Sequence, residues 1–313
     1  VAEGRVRGSS ILLKSLAAIS QANLSVAGAG NRQLPTHVIL SAMIVRILRW
    51  CFRWWPFMHG RGWILRLARL LLGRGAVRFD IGGGTFIEGP LDDWMILWAF
   101  MRQHERDAPF QCSLDLLRDG DVALDIGANL GIWSLLAAKR GARVHAFEPV
   151  PEMVARLRHH ARLSGAALTI HPFALGAEAG SLPFFAARDG NTGASSFARR
   201  SVEDEEIRVP VETLDGYVER HGIPHARMLK VDVEGAEILV FRGARKLLSS
   251  GHAPSVFFEV DEELCARFGT TPQEVKQFLV DCGYRIYRRR RNVFAPVSVD
   301  EPHGHEDLFA LKS

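Results

Sequence analysis

The four cysteines of this 313-residue chain, Cys51, Cys112, Cys265 and Cys282, stand singly, with no CxxC pair and no histidine at zinc-finger spacing. That scatter excludes a disulfide framework and a zinc ribbon, and leaves small apolar fillers, reduced as in a cytoplasmic protein, as the reading of all four. Aromatic residues are missing from positions 1–35, which are rich in Ala, Ser and Gly and carry no turn or strand pattern. A mobile or weakly structured tail is expected there. A signal-peptide core over Ile11–Ile19 is disfavoured because Lys14 interrupts the apolar run. Val38–Phe57 has the length of a bilayer span but not its freedom from charge, since Arg46, Arg49 and Arg53 would each cost about 2.5–3.5 kcal/mol on insertion. What remains, 47% hydrophobic and 24% charged, is ordinary globular composition: one α/β domain with an appendage.

Charge divides the chain in two. Residues 1–75 hold ten arginines and one lysine against the single acid Glu3; the whole-chain net charge is +4, so the remainder is net −6. The basic surface therefore belongs to the N-terminal segment, and a nucleic-acid partner is not expected. Within residues 36–91 two basic, apolar stretches read as an amphipathic helical extension. The first carries Trp50, Trp54 and Trp55 beside an arginine stripe; the second, after Pro56, interleaves Leu65, Leu67 and Leu70 with Arg66 and Arg69. Two outcomes stay open for these helices. They pack on the rest of the chain or a second subunit, or they touch an anionic membrane through residues 38–74, at the inner face of a cytoplasmic location.

From Asp121 the pattern becomes strand, glycine turn, helix. Val122–Ile126 is a short apolar run suited to a buried parallel strand, Gly127–Gly131 makes the turn, and the helix from Ile132 turns Leu135 and Leu136 inward. A second strand, 142–147, ends at Glu148–Pro149, which places an acid at the strand tip where it can accept both hydroxyls of a ribose. A dinucleotide site would carry G-x-G-x-x-G so that a pyrophosphate sits on the helix N-terminus. Here position 129 is Asn and Asp125 occupies the strand end, where its charge would repel a pyrophosphate. Asp125, Gly127, Asn129, Gly131 and Glu148 instead suit a cationic sulfonium ligand, S-adenosylmethionine.

The run LDIGANLG at 124–131 and Phe147-Glu148-Pro149 resemble the first two motifs of the FkbM methyltransferases. Phe173-Ala174-Leu175-Gly176, Thr213-Leu214-Asp215, the distinctive 229–237 run LKVDVEGAE, Gly243-Ala244 and Phe258-Glu259-Val260 follow in the expected order. The resemblance covers about residues 92–313. It implies a seven-stranded, mostly parallel Rossmann-like sheet with helices on both faces, using S-adenosylmethionine. Its acceptor would be a small-molecule or glycan hydroxyl, as on a sugar or a polyketide. It further implies that Phe173 and Ala174 line the adenine pocket, that Glu105 resembles a family acid able to reach the cofactor, and that Ser195-Ser196 resemble a family serine pair. The chain departs from the pattern at His171-Pro172-Phe173, where members often carry a small or polar residue.

Methyl transfer from a sulfonium is an in-line displacement that gains most from positioning, but an alcohol is a poor nucleophile until a base or a metal takes its proton. Alternation along the strand from Met228 puts Lys230, Asp232 and Glu234 on one side, at the carboxyl end that borders the cofactor crevice. Asp232 is the first candidate for the base, Glu234 the second, and Lys230 the electrostatic partner. Glu237 falls in the next helix's first turn, where an acid is favoured by the dipole anyway. Oxygen ligands at Asp232, Glu234 or Glu259 would suit magnesium, but no histidine joins them at ligand spacing, and no metal is expected. Residues 181–187 and 207–212 look like a hairpin or flap. The arginine run 285–291 reads as a solvated hairpin turn. The other class of function compatible with these residues is a non-catalytic S-adenosylmethionine-binding protein that assembles on a membrane or partner through its N-terminal helices.

Overall fold

The computed structural model describes residues 43–49, 75–187, 195–199, 201–223, 225–290, 293–302 and 304–312. The chain divides into two compact units, Val1–Ile44 and Val45–Ser313, and all that follows concerns the second. The tail at 1–35, the basic stretch at 50–74 and the flap tip at 189–193 lie outside the described residues.

In chain order the elements are β1 (Ala76–Gly82), β2 (Thr85–Pro90), α1 (Trp94–Phe100), α2 (Ala108–Asp115), β3 (Val122–Ile126), α3 (Ile132–Lys139), β4 (Arg143–Phe147), α4 (Pro151–Ser164) and β5 (Leu168–His171). There follow β6 (Ala174–Leu175), β7 (Gly180–Ala186), β8 (Glu205–Glu212), α5 (Leu214–His221), β9 (Met228–Val231), α6 (Glu237–Arg242) and α7 (Arg245–Ser249). The chain ends with β10 (Ser255–Val260), α8 (Glu262–Ala266), α9 (Pro272–Asp281), β11 (Tyr284–Arg290), β12 (Val293–Pro296) and β13 (Glu306–Lys312).

The main sheet runs β12-β11-β13-β10-β9-β3-β4-β5. Strands β10, β9, β3, β4 and β5 are mutually parallel, and β13 inserts antiparallel between β10 and β11. The mostly parallel Rossmann-like sheet is thus present, with eight strands rather than seven. In the arginine run, Arg285 and Arg288–Arg290 belong to strand β11, which pairs antiparallel with the extra edge strand β12, and Arg291 lies outside the described residues. Arg288 is held there by Glu306, at 2.6 Å, and Glu301, also at 2.6 Å. Every residue of β9 is buried, as expected of a central parallel strand covered on both faces. Phe241, Phe258, Val275 and Leu279 pack against the sheet in the main core. Thr271 closes α9 with a capping box to Glu274, Pro272 taking its first turn. Cys112, Cys265 and Cys282 are free and buried.

Residues 76–90, expected as part of a helical extension, form the β1–β2 hairpin instead. Val77, Phe79 and Ile81 alternate inward with Arg78 and Asp80 outward, a two-residue period that a helix cannot bury on one face. The hairpin is tied to α4: Ser164 Oγ accepts the Phe86 amide at 2.9 Å and donates back to its carbonyl at 3.0 Å. Residues 45–49 are helical. Val45, Leu48 and Arg49 are buried while Arg46 and Ile47 face solvent. The Arg49 guanidinium reaches the carbonyls of Ala99, Phe100 and Asp80 at 3.0, 3.0 and 2.8 Å and lies over the Phe79 ring. The arginine stripe is therefore split between solvent and core. Among the described residues no helix is long and apolar enough to cross a membrane.

Candidate active site

The carboxyl ends of β3, β4, β9 and β10 open, with the starts of β13 and α1, on one cavity of about 300 Å³. Its cofactor side is built from the turn after β3. Gly127 adopts φ +79°, and a Cβ there would stand 1.9 Å from the Asp232 carbonyl oxygen. The glycine thus lets two loops of the site touch, the first holding Asn129 and the second Asp232. Asn129 itself takes φ +50°, and Gly131, at φ +83°, opens α3.

Glu148 lies at the tip of β4 and is buried. The amide of Asn129 donates to one carboxylate oxygen at 2.9 Å and that of Val150 to the other at 2.8 Å. Burial pushes its pKa up to about 7, with Asp125 adding to the rise and the two amides opposing it. Each oxygen keeps a lone pair for a further donor, the arrangement a ribose diol requires.

Below this wall runs a buried polar chain. Asp125, fully buried, accepts the Ser134 hydroxyl at 2.6 Å and lies 3.2 Å from Lys230 Nζ, which is 3.1 Å from Asp232 Oδ2. Burial opposes the lysine charge, but the two aspartates outweigh it and hold Lys230 above the usual lysine range. Asp125 is not part of the lining; it fixes Lys230, and Lys230 fixes Asp232. Glu237 accepts the amides of Val233 and Gly235 at 3.1 and 3.3 Å, so it ties the turn that presents Glu234. Burial lifts Glu237 to about 7. Glu234 is held at φ +57°, a conformation that side-chain-bearing residues rarely keep without a local reason.

The far side of the cavity is acidic and aromatic. Asp107, Asp232, Glu234, Glu259 and Asp307 line it, with His305 and Lys230 as its only titratable nitrogen bases among the described residues. Burial raises Glu259 well above the carboxylate range, and Asp232, Glu234, Glu237 and Asp307 raise it further. Asp307 is lifted to about 8 by burial and then by Asp107 and Asp232. Trp94, Trp98 and Phe110 form the aromatic wall. The hairpin β7–β8 borders the cavity: Ser195 lines it and its Oγ accepts the Ala187 amide at 3.1 Å, while Ser196 Oγ donates to the Glu234 carbonyl at 3.3 Å.

Of the residues singled out in the sequence, Gly127, Asn129, Glu148, Ala174, Lys230, Asp232 and Glu234 meet on this lining. Gly131 and Asp125 support it from behind. Phe173 packs instead against Phe147 and His171, at ring distances of 5.6 and 5.4 Å. The Tyr217 hydroxyl, 2.6 Å from His171 Nε2 and 2.7 Å from His145 Nδ1, anchors that cluster, and burial pushes His171 down to about 4. Glu105 is not brought to the cavity: it sits on a 3-10 turn, Gln103–Glu105, paired with Arg102 at 2.5 Å. Trp94, Trp98, Asp107, His305 and Asp307 join the site without any sequence motif: α1 and the start of α2 bring the first three, and the insertion of β13 beside β10 brings the last two. Among the described residues no cluster of three or more His, Cys, Asp or Glu is arranged to hold a metal.

S-adenosylmethionine fits these residues. The fixed Glu148 carboxylate suits a ribose, and a cavity with six carboxylates suits a sulfonium cation while repelling a pyrophosphate. The chain is 32% identical over 157 residues to 31-O-demethyl-FK506 methyltransferase FkbM of Streptomyces tacrolimicus, covering 41% of this chain and 60% of that protein. It is 28% identical over 138 residues to hexuronic acid methyltransferase AglP of Haloferax volcanii, covering 44% of this chain and 55% of that protein. The alignments thus span somewhat over half the length of these curated relatives. The crystal structure of magnesium protoporphyrin IX methyltransferase (ChlM) from Synechocystis PCC 6803 superposes with a TM-score of 0.39 at 14% identity, over 91% of this chain and 100% of that one. The methyltransferase FkbM domain matches residues 125–286, which run from Asp125 through Glu148, Lys230 and Asp232 to Glu259. With more than half of its length in that match, the chain belongs to the FkbM family of methyltransferases, whose methyl donor is S-adenosylmethionine.

Proposed function

We propose that this protein O-methylates a hydroxyl of a sugar, glycan or polyketide-type acceptor. The observation that carries the reading is the ordered chain Ser134–Asp125–Lys230–Asp232, which ends in a carboxylate at the cavity. Bound S-adenosylmethionine supplies an electrophilic methyl group. Glu148 and the Asn129 loop hold the nucleoside end, and Asp232 orients the acceptor hydroxyl and takes its proton, which raises the oxygen's nucleophilicity. Lys230 keeps the Asp232 carboxylate in one orientation, and Glu234 stands second in line for the proton. Ser196, bonded to the Glu234 carbonyl, ties the β7–β8 hairpin to that turn.

The test is transfer of labelled methyl from S-adenosylmethionine to an extracted glycan pool, with Asp232→Asn beside the parent protein. Loss of product with retained affinity for S-adenosylhomocysteine is the expected result. Unchanged transfer would remove Asp232 from the chemistry. Cofactor binding with no transfer to any hydroxyl acceptor would favour a non-catalytic binding protein.

A further inference from the structure

The acceptor end of the cavity combines two features that together describe a ligand. The first is Trp94, which lines the cavity yet remains 49% exposed, a large aromatic face presented to solvent at a pocket mouth. Its placement is built rather than incidental. Asp93 caps α1 by accepting the amides of Met95 and Ile96 at 2.9 and 3.3 Å, and Arg156 holds the cap at 2.7 Å. Trp98, one turn along, extends the aromatic wall and meets Phe110 edge-on at 5.7 Å. A rigid, half-solvated indole is a surface for the apolar face of a ring whose edge is polar.

The second feature is charge. Asp107, Asp232, Glu259 and Asp307 arrive from four separate stretches of chain and share the lining with Trp94. Lys230 is consumed by Asp125 and Asp232, and His305, largely solvent-exposed, is 3.1 Å from Glu259 and 3.7 Å from Asp261. No arginine lines the cavity among the described residues. Carboxylates accept hydrogen bonds from hydroxyl and ammonium groups, and oppose a ligand carboxylate or phosphate. Burial first, and the neighbouring acids after it, raises Glu259 and Asp307, so near neutral pH these carboxyls hold protons and can both donate to and accept from sugar hydroxyls.

We infer that the acceptor is a non-acidic sugar, neutral or amino-bearing, stacked on Trp94 with its hydroxyl or ammonium groups on Asp107, Glu259 and Asp307. This rests on the O-methyltransferase reading and narrows it: a uronate, the acceptor class in the printed name of the Haloferax volcanii relative, brings a carboxylate that the ionised members of this lining oppose and that no arginine among the described lining residues would pair. An amino sugar gains a charge-assisted contact that a neutral one lacks.

The experiment uses the full chain loaded with S-adenosylhomocysteine, so that binding is read without turnover. Saturation-transfer NMR is recorded with methyl α-glucopyranoside, its 2-amino-2-deoxy analogue and methyl α-glucuronide as probes. The two non-acidic glycosides are expected to receive saturation, the amino sugar binding tighter, and the glucuronide at least about tenfold weaker. Trp94→Ala should weaken the non-acidic glycosides about fivefold or more, and Trp94→Phe should restore most of that loss. S-adenosylhomocysteine calorimetry on Trp94→Ala, expected to match the parent, shows that the variant is folded. The inference is overturned if the glucuronide binds as well as the others, if no glycoside binds, or if Trp94→Ala changes nothing. Failure of S-adenosylhomocysteine to bind the parent protein is a separate result that defeats the methyltransferase reading, and this inference with it.

Discussion

Glu259 and Asp307 stand directly opposite each other on the antiparallel pair β10 and β13, and both side chains line the cavity. Two like charges in register on one face of a sheet destabilise it. Asp232 and Asp107 add to the field at Asp307, and Lys230 relieves it only in part. With a folded pKa near 8, Asp307 binds a proton in the native state across a range where the unfolded chain has already released it. Stability is therefore greatest at low pH on this account and falls as pH rises from about 4 towards 8. Asp307→Asn should stabilise the fold by about 1 kcal/mol in urea melts near pH 8.5, and by little near pH 5. A gain of the same size at both values would place the effect elsewhere.

Glu148 gives a second pH dependence, in binding rather than stability. Its folded pKa near 7 means that below neutrality one oxygen carries a proton and ceases to accept from a ribose hydroxyl. Affinity for S-adenosylhomocysteine should rise about tenfold from about pH 6 to about pH 8, following the ionised fraction. Glu148→Gln should bind weakly at both and flatten the dependence. Calorimetry at the two pH values checks this, and a parent curve without slope would contradict it.

How much of this was legible in the sequence follows from how local each signal is. The β3–α3–β4 unit is legible because a buried strand, a glycine turn and a strand-end acid occupy one continuous stretch, which is why Asn129 and Glu148 stand out as candidates in the sequence; both line the cavity. Asp125 was placed against the ligand by the same reasoning and instead lies underneath, because nothing in a strand-end position says that Ser134 and Lys230 will claim its oxygens. His305 and Asp307 are invisible for a topological reason: β13 inserts between β10 and β11, and no motif encodes which strand edges become neighbours; Asp107 reads only as the N-cap of α2, which says nothing of the cavity that the helix start faces. The hairpin at 76–90 was missed because a basic, helix-like composition upstream was carried too far, past a two-residue alternation and three consecutive glycines.

Gly127 tests whether loop contact, rather than ligand approach, explains the first glycine of the fingerprint. A methyl group there meets the Asp232 carbonyl at 1.9 Å on a backbone at φ +79°, so strain and a clash act together. Gly127→Ala should destabilise by about 2–4 kcal/mol and reduce cofactor affinity. Gly165→Ala is the control: φ is +59°, nothing lies within 4 Å of the added carbon, and only about 1 kcal/mol is expected. Equal losses at the two positions in thermal melts would mean that backbone strain alone is at work.

Arg49 decides what the described part of the basic extension is for. Its guanidinium satisfies two carbonyls at the end of α1 and one in β1, from a buried position where burial and then Arg102 depress its pKa to about 10. Arg46, three residues earlier on the same helix, is exposed. An arginine serving a membrane surface would be exchangeable with its neighbours. One that completes helix and hairpin hydrogen bonding would not, because its loss strands buried acceptors at about 1–3 kcal/mol each. Arg49→Leu should therefore lower stability by about 2–4 kcal/mol, whereas Arg46→Leu should stay within about 0.5 kcal/mol of the parent in urea denaturation. If both variants melt with the parent protein while losing retention on anionic vesicles, the arginines work at a lipid surface and the buried contacts of Arg49 contribute nothing to the fold.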